Sequence, residues 1–531
     1  MRALLVTSVG VTCAAALTLP LAAPALSAPA PHSASARPPS LSPESPGAGP
    51  PSVRAEATPD EAAPDEATAP GTAPDEAAPD AATAPGAARS RTGQTRAAEP
   101  AGSTQSLALE PLAAPSDRVA GAAAGQGLSQ RAARPFSLVG VVWDDAEAEL
   151  HGTVQVRTRA TGGTSWSDWQ DVETHNAEHA ADLGSAERAS GAVRGATAPL
   201  WVGDSDGVEV RVRPEAADPQ HRAAPVPLPG GLRLELVDPG EGPAPEPAAE
   251  TAPEPARAAP VGRSATPATF AGNPAPPTTT AAVPEALTAE SAATSAVNAD
   301  LAPLGAAVIP ALTKAETEEE AAIVAAGAKP YIGPRPKIIT RKGWGADEKL
   351  RERNFGYTKS VKAAFVHHSA TGNNYTCKQA PSVLRSIYRY HVQSSGWRDF
   401  GYNFAVDKCG NIYEGRAGGV AKAVLGAHTL GFNTNTMGVA VLGTYSSTNP
   451  PAAAVTAVSK LTAWKLGLFG ANPKGKVTLV SGGSNKYKKG KKVKMNVISG
   501  HRDGFATECP GARLYKKLGT ARTSSAKLQG R

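Results

Sequence analysis

The N-terminal region lacks two features of a membrane anchor. A single positive charge at Arg2 precedes an apolar run from Ala3 to Leu21, but prolines at positions 20 and 24 interrupt the apolar stretch and no charged stop follows it. Small residues and prolines then continue to residue 30. This order is typical of a secretory signal peptide. We therefore predict that residues 1–30 hold a signal peptide that is removed on export, by cleavage after Ala25, Ala28 or Ala30, and that the mature chain has no membrane span.

Cysteine is scarce, and its scarcity limits how the cysteines can be used. The 531-residue chain has four cysteines, and Cys13 lies within the predicted signal peptide. In an exported protein two of the remaining three are expected to pair. We predict a disulfide between Cys377 and Cys409, which would stabilise the fold by roughly 3–4 kcal/mol through chain entropy. A bridge to Cys509 is the alternative.

Acidic residues are rare in the C-terminal part of the chain. Residues 336–531 contain 32 lysines and arginines against 8 aspartates and glutamates, a net charge of +24, so the preceding residues carry −18 within a whole-chain charge of +6. An exported basic domain is expected to meet a polyanion, such as the teichoic acid of a cell wall or an anionic membrane face. Nucleic acid is not an expected partner, because the chain is exported and has no basic motif interleaved with aromatic residues.

Two segments have too little apolar surface to form a core. Residues 31–130 are largely Ala, Pro, Gly, Glu and Asp in near-repeats, and residues 240–335 return to Ala, Pro, Thr and Glu. Such compositions do not offset the entropy of ordering the chain. We predict that the first segment is disordered and that the second is a linker, with one short helix around residues 316–326.

Between these segments, residues 135–239 have the pattern of β-strands. Apolar and polar residues alternate at 153–159, 208–212 and 232–236, and glycine-rich turns separate the runs. The pattern predicts a β-sandwich-like domain. Four tryptophans lie among the strands, and we interpret them as core residues rather than as carbohydrate-stacking residues: Trp143, Trp166, Trp169 and Trp201.

Residues 336–522 alternate between strand and helix patterns. The predicted strands cover 362–369, 402–407, 411–414, 438–443 and 496–499, and the predicted helices cover 381–393 and 451–469, with a final helix from 513. This order predicts an α/β domain with a mixed central β-sheet and flanking helices.

The end of this domain carries side chains suited to one metal ion. His501 and Cys509 are eight residues apart across a loop closed by Pro510 and Gly511. Imidazole nitrogen and thiolate sulfur suit Zn²⁺. The expected third donor is His367, which ends a predicted buried strand. Three protein ligands would leave one tetrahedral position open for water.

Several different short motifs are spread through the same domain. In chain order they are Trp344-Gly-Ala346, Val366-His-His-Ser369, Gly396-Trp397, Gly401-Tyr-Asn-Phe404, the run from Gly410 to Arg416, Gly426-Ala-His428 and the loop from His501 to Gly511. In this order and spacing they resemble the peptidoglycan recognition protein family, which includes the zinc N-acetylmuramoyl-L-alanine amidases (amidase type 2). The Ala/Pro-rich N-terminal region is similar to that of secreted actinomycete members. The resemblance implies peptidoglycan as the partner and a secreted, cell-wall location.

The resemblance also implies roles for individual residues. It implies that Zn²⁺ is held by His367, His501 and Cys509, and that Tyr402 and Thr507 are catalytic. The expected substrate-binding residues are His368, His428 and Arg416. Strand alternation, however, places His368 on the face opposite His367, where a structural role is the alternative.

The implied reaction is hydrolysis of the amide bond between N-acetylmuramic acid and L-alanine. In such enzymes Zn²⁺ lowers the pKa of a bound water and polarises the scissile carbonyl. The alternative is a non-catalytic protein that binds peptidoglycan without cutting it. The complete set of His367, His501 and Cys509 favours the enzyme.

Overall fold

The computed structural model describes residues 102–112, 125–174, 176, 178–215, 226–243, 286–324 and 331–531. The predicted signal peptide and most of the predicted disordered segment lie outside these residues. Within the described ranges, no helix has both the length and the apolar composition needed to cross a membrane.

The described residues form seventeen strands and six α-helices. The strands are β1 (Ser103–Ala108), β2 (Glu110–Pro111), β3 (Gln126–Trp143), β4 (Gly152–Ala160), β5 (Gln170–Val172), β6 (Gly195–Ala196), β7 (Leu200–Pro214), β8 (Arg233–Asp238), β9 (Val308–Ile309), β10 (Ile338–Ile339), β11 (Ala363–His368), β12 (Phe404–Val406), β13 (Ile412–Glu414), β14 (Thr436–Val441), β15 (Lys476–Val480), β16 (Lys492–Asn496) and β17 (Ile498–Gly500). The helices are α1 (Ala289–Ala296), α2 (Lys314–Val324), α3 (Arg341–Trp344), α4 (Ala380–Arg389), α5 (Ala452–Leu468) and α6 (Ala512–Gln529).

Strands β1–β8 form one antiparallel sheet in the order β1-β8-β3-β7-β4-β5, with β2 and β6 also paired to β3. Along β4, Val154, Val156 and Thr158 are buried, and the residues between them are half-buried, as the predicted alternation requires. The long strands β3 and β7 pair with register shifts, which are typical of strands that bend. The prediction of a β-sandwich-like domain is confirmed in its fold class.

This domain begins earlier in the chain than predicted. Strand β1 pairs with β8 from Ser103 to Ala108, and Leu109 and Leu128 are buried. The prediction of disorder through residue 130 is therefore wrong for residues 103–111 and 126–130. A few apolar residues are enough here, because they add to a core that the neighbouring strands supply.

Tryptophans occupy two different environments in this domain. Trp143 and Trp201 are buried. Trp166 and Trp169 are only half-buried, and the guanidinium carbon of Arg211 lies 4.0 Å from the ring centroid of Trp169. The interpretation of all four tryptophans as core residues is thus wrong for Trp166 and Trp169.

The second sheet has the order β17-β11-β14-β12-β13-β10-β9. Strand β11 is parallel to both β14 and β17, whereas β12 and β13 are antiparallel, which confirms the predicted mixed sheet. Side chains on one face pack with α4, and those on the other face pack with α5 and α6. The α4 side of the sheet also shares its apolar cluster with β3, β7 and β8, so the two sheets have a common core.

Part of the predicted linker belongs to the second sheet. Strand β9 pairs antiparallel with β10, and Ile309 is fully buried. Helix α2 matches the short helix predicted near residue 316. The linker prediction is wrong for residues 286–313, because the average composition of the segment hides one short apolar pair at Val308 and Ile309.

Strands β15 and β16 pair antiparallel, and this hairpin was not predicted. The predicted last strand is present as β17, which leads directly into His501. Cys377 and Cys409 form the predicted disulfide, and Cys509 is free and buried.

Candidate active site

Two parallel strands place the first two expected metal ligands side by side. The register of β11 against β17 pairs Val366 with Gly500, so the next residues, His367 and His501, lie at the same edge. His501 begins a short 3₁₀ turn, in which the backbone N–H of Gly500 donates to the carboxylate of Asp503 over 2.9 Å. Both imidazoles are fully buried.

The loop after His501 returns Cys509 to the same point. The backbone N–H of Arg502 donates to the carbonyl of Cys509 over 3.0 Å. As a result, Cys509 Sγ lies 3.7 Å from His367 Nδ1. The structure thus brings together the three residues for which zinc ligation was predicted.

A fourth donor, from the N-terminal domain, completes this group. His179 Nε2 lies 3.5 Å from Cys509 Sγ and 3.1 Å from His501 Nδ1. One donor atom from each of His179, His367, His501 and Cys509 lies within 4.8 Å of the other three, and all four residues are buried.

The donor set fits Zn²⁺. Three imidazoles and one thiolate are among the donors that zinc prefers, and with ordinary zinc bond lengths the donors of a tetrahedral site are about 3.3–3.6 Å apart. The distances of 3.1, 3.5 and 3.7 Å between donor atoms are close to this spacing. A Ca²⁺ or Mg²⁺ ion would instead require mainly oxygen donors.

Burial sets the protonation of these side chains. Burial lowers the pKa of His179, His367 and His501 well below the usual histidine value, so their rings are neutral, as metal ligation requires. Burial raises the pKa of the Cys509 thiol well above its usual value. A divalent cation at this point would favour the thiolate, because a coordinating thiol is deprotonated.

Tyr402 lies beside the four donors. Its ring centroid is 5.3 Å from that of His367 and 5.8 Å from that of His179. Burial, together with the nearby Cys509, raises the pKa of Tyr402 well above its usual value. The phenol therefore stays protonated and can act as a hydrogen-bond donor.

Thr507 lies on the loop that carries Cys509. Its hydroxyl accepts a hydrogen bond of 3.1 Å from the backbone N–H of Cys509 and donates one of 2.7 Å to the carboxylate of Glu178. Thr507 is therefore adjacent to the metal group, but its donor proton is engaged by the N-terminal domain.

The three predicted substrate-binding residues have different surroundings. His428 is buried beside His367, and its Nδ1 lies 3.0 Å from the Thr429 hydroxyl; a Cβ on Gly438 would lie 2.4 Å from the His428 ring. His368 accepts a hydrogen bond of 3.3 Å from the backbone N–H of Tyr445, which supports the structural alternative.

Arg416 is buried and faces the N-terminal domain. It donates two hydrogen bonds of 2.8 Å to the carboxylate of Glu187 and one of 2.7 Å to the carbonyl of Phe400. Each of its three guanidinium nitrogens thus has a partner within the protein.

Sequence reasoning missed the contribution of the N-terminal domain. His179, Asp182 and Glu187 all lie between β5 and β6, where no strand pattern is present. The only local signal was a cluster of chemically active side chains, Glu173, Glu178, His179 and Asp182, in a loop of a domain otherwise made of strands. Nothing in that stretch indicates which residues it would meet.

Two known protein families match separate parts of the chain. Residues 357–512 match the family described as N-acetylmuramoyl-L-alanine amidase. Residues 87–229 match the family described as Rv3811 N-terminal galactose-binding domain-like.

Individual relatives match the C-terminal part. Peptidoglycan-recognition protein SC2 of Drosophila melanogaster is 30% identical over 185 residues, which cover 34% of this chain and 85% of that protein. The N-acetylmuramoyl-L-alanine amidase of Homo sapiens is 31% identical over 221 residues, which cover 38% of this chain and 32% of that protein. The solved structure of Drosophila PGRP-LB is 24% identical, with a TM-score of 0.27, covering 34% of this chain and 92% of that one. The chain belongs to the family of peptidoglycan recognition proteins and type 2 N-acetylmuramoyl-L-alanine amidases.

Proposed function

We propose that this protein is a secreted, zinc-dependent N-acetylmuramoyl-L-alanine amidase that acts on the peptidoglycan of the cell wall. The observation that carries the proposal is the convergence of His367, His501 and Cys509 from separate elements onto one buried point. A protein that only binds peptidoglycan has no use for three converging metal donors. The relatives named as amidase and as peptidoglycan-recognition protein support the substrate class.

The residues around this point have distinct tasks. Zn²⁺ held by His367, His501 and Cys509 would supply a Lewis acid and an activated water when bound. Tyr402, kept neutral by its burial, would donate a hydrogen bond to the oxygen that gains negative charge as the amide carbon becomes tetrahedral. Thr507 would supply a second, uncharged donor once its hydroxyl is free of Glu178.

Substrate recognition would fall to the cleft beside this centre. Once Glu187 leaves it, the Arg416 guanidinium would suit the carboxylates of a peptide stem. The exposed lysines of the β15–β16 hairpin and its turn, from Lys486 to Lys494, would add attraction for anionic wall polymers such as teichoic acid. These surface charges would raise the local concentration of the enzyme at the wall without taking part in the reaction.

Metal dependence on purified sacculi tests the proposal. The full-length protein, and an Asp182→Ala variant that loses the hydrogen bonds from Gly431 and Asn433 to the Asp182 carboxylate, are stripped with a chelator and then reconstituted with Zn²⁺. We expect the release of soluble fragments from dye-labelled sacculi to require the metal, and to be greatest with the metal-loaded Asp182→Ala protein. Binding of sacculi without release in both metal-loaded proteins would identify the chain as a non-catalytic recognition protein instead.

A further inference from the structure

We propose that residues 178–187, called the cleft loop from here on, hold the enzyme in a latent state. The cleft loop supplies His179 as a fourth metal ligand and covers the residues that would bind substrate. This inference rests on the proposed amidase function and concerns the regulation of the same site.

Four protein side chains supply donors to the metal group. A catalytic zinc site keeps one coordination position for water or substrate, whereas four protein donors are typical of a structural site. His179 Nε2 lies 3.1 Å from His501 Nδ1 and 3.5 Å from Cys509 Sγ, a position expected for a fourth ligand. While His179 occupies that position, the position is closed to water and to the scissile carbonyl.

The cleft loop also engages the residues that would bind substrate. Glu187 receives both hydrogen bonds from the outer guanidinium nitrogens of Arg416, each of 2.8 Å. Glu178 receives the hydroxyl proton of Thr507 over 2.7 Å. A carboxylate on Arg416 and an acceptor on Thr507 are the contacts that a peptide substrate would make, so the loop competes directly with substrate.

Hydrogen bonds hold the cleft loop at several points along its length. The Asp182 carboxylate accepts 2.8 Å from the backbone N–H of Gly431 and 2.7 Å from the side-chain amide of Asn433, which also donates to the carbonyl of Ala180 over 2.8 Å. The carbonyl of Glu178 accepts 2.9 Å from the backbone N–H of Leu430. Because these contacts are spread over the loop, they hold its backbone in one position.

The strands and backbone on either side of the cleft loop limit how the loop could move away from the metal group. The backbone that follows the cleft loop lies close to the C-terminal domain, since a Cβ on Gly396 would lie 1.8 Å from the carbonyl oxygen of Ala192. The Tyr390 hydroxyl donates to the carbonyl of Thr197 over 3.1 Å, just beyond β6. Because β5 and β6 anchor both ends of the loop, release requires local opening or cleavage of the loop and not separation of the two sheets.

The experiment compares full-length proteins that carry Co²⁺ in place of Zn²⁺. His179→Ala removes the proposed ligand, and Asp182→Ala weakens the loop while leaving His179 in place. His151→Ala is the matched control, because its side chain is 43% exposed on the N-terminal domain. The first readout is the visible absorption of Co²⁺, which reports the number and type of ligands, and the second is Zn²⁺ affinity.

We expect His179→Ala to change the Co²⁺ spectrum while retaining the thiolate band, and to lower Zn²⁺ affinity by roughly tenfold or more, since even outer-shell partners of metal ligands contribute about that much. We expect the control to match the wild type. A wild-type spectrum and affinity in His179→Ala would overturn the proposed coordination.

The blocking role has its own readout in muropeptide binding. It is measured in a Tyr402→Phe background, in which any hydrolysis is slow. We expect His179→Ala and Asp182→Ala to bind a soluble muropeptide about tenfold or more tightly than the parent, because an open cleft would then no longer be a minor state. Unchanged binding in both variants would overturn the latency. Tighter binding without hydrolysis in the Tyr402-containing proteins would contradict the amidase function, and would still support the blocking of the substrate site by the cleft loop.

Discussion

Arg416 and Glu187 form a buried ion pair in which two hydrogen bonds of 2.8 Å join residues from the two domains. Each residue is at most 9% exposed. The pair holds the cleft loop against the C-terminal domain. It also means that the burial of each charge depends on the presence of the other. Two charges without water around them are tolerated only while they neutralise each other.

Removing one partner of this pair should therefore be costly. We expect Arg416→Ala to lower the free energy of unfolding by about 3–5 kcal/mol, because Glu187 would remain buried without its counter-charge. The double variant Arg416→Ala with Glu187→Ala should be less destabilised than the single variant. Denaturant unfolding measures both. Equal losses in the single and double variants would show that the pair is not coupled.

Cys509→Ser should separate metal binding from folding. The hydroxyl is too weakly acidic to replace the thiolate as an anionic ligand, so Zn²⁺ content and hydrolysis should both be lost. Cys377→Ser is the matched control: it removes the disulfide with Cys409, should lower the melting temperature and should keep Zn²⁺. Elemental analysis and thermal melts distinguish the two. Full Zn²⁺ content in Cys509→Ser would remove this residue from the metal site.

Tyr402→Phe should reduce the rate without releasing the metal. Loss of one donor to a developing oxyanion typically costs about 10²–10³ in kcat. Tyr375→Phe is the control, because that hydroxyl donates to the carbonyl of Leu442 away from the metal group. The kcat on a soluble muropeptide is measured in a cleft-loop variant, with Zn²⁺ content checked alongside. An unchanged kcat in Tyr402→Phe would show that Tyr402 does not donate to the oxyanion.

Stability should fall as the pH decreases below about 6.5. Burial, and then the Arg416 charge, lower the pKa of His391 to about 3, whereas an unfolded histidine titrates near 6.5. The unfolded state therefore binds a proton that the folded state does not, and the stabilising effect of the neutral ring is lost as pH falls from about 6.5 towards 3.

His391→Gln tests this pH dependence. It should flatten the dependence of the unfolding free energy on pH by up to about 1.4 kcal/mol per pH unit within that window. The measurement is made in chelator, so that zinc binding does not contribute its own pH dependence. Parallel curves for wild type and His391→Gln would show that this histidine is not the group responsible.

Retention on cell walls should weaken with salt. Lys488, Lys489, Lys491, Lys492 and Lys494 are exposed, and charges in solvent are screened over about 8 Å at physiological ionic strength. Changing four of them to Gln should reduce retention on walls that contain teichoic acid at low salt, and should have little effect on walls stripped of it. Salt-independent retention on both kinds of wall would contradict an electrostatic contribution.

The sequence predicted those parts of the molecule in which local pattern and motif coincide. The strand before His367 and the turn after Gly500 carry their own hydrophobic and ligand signals, so their placement at one sheet edge was foreseeable. The pairing of β9 with β10 was not, because Val308 and Ile309 are a short apolar pair inside a segment of linker composition. His179 was missed for a different reason. Its meeting with Cys509 depends on how two domains pack, and no periodicity in a loop encodes that.

The identity of the bond that is cut tests the central claim most directly. The zinc-loaded His179→Ala protein is incubated with a muropeptide of known structure, and the products are analysed by mass spectrometry. The account predicts one intact N-acetylmuramic acid product and one peptide with a free amino group on L-alanine. Cleavage at a different bond, or an unchanged muropeptide in the presence of bound Zn²⁺, would contradict it.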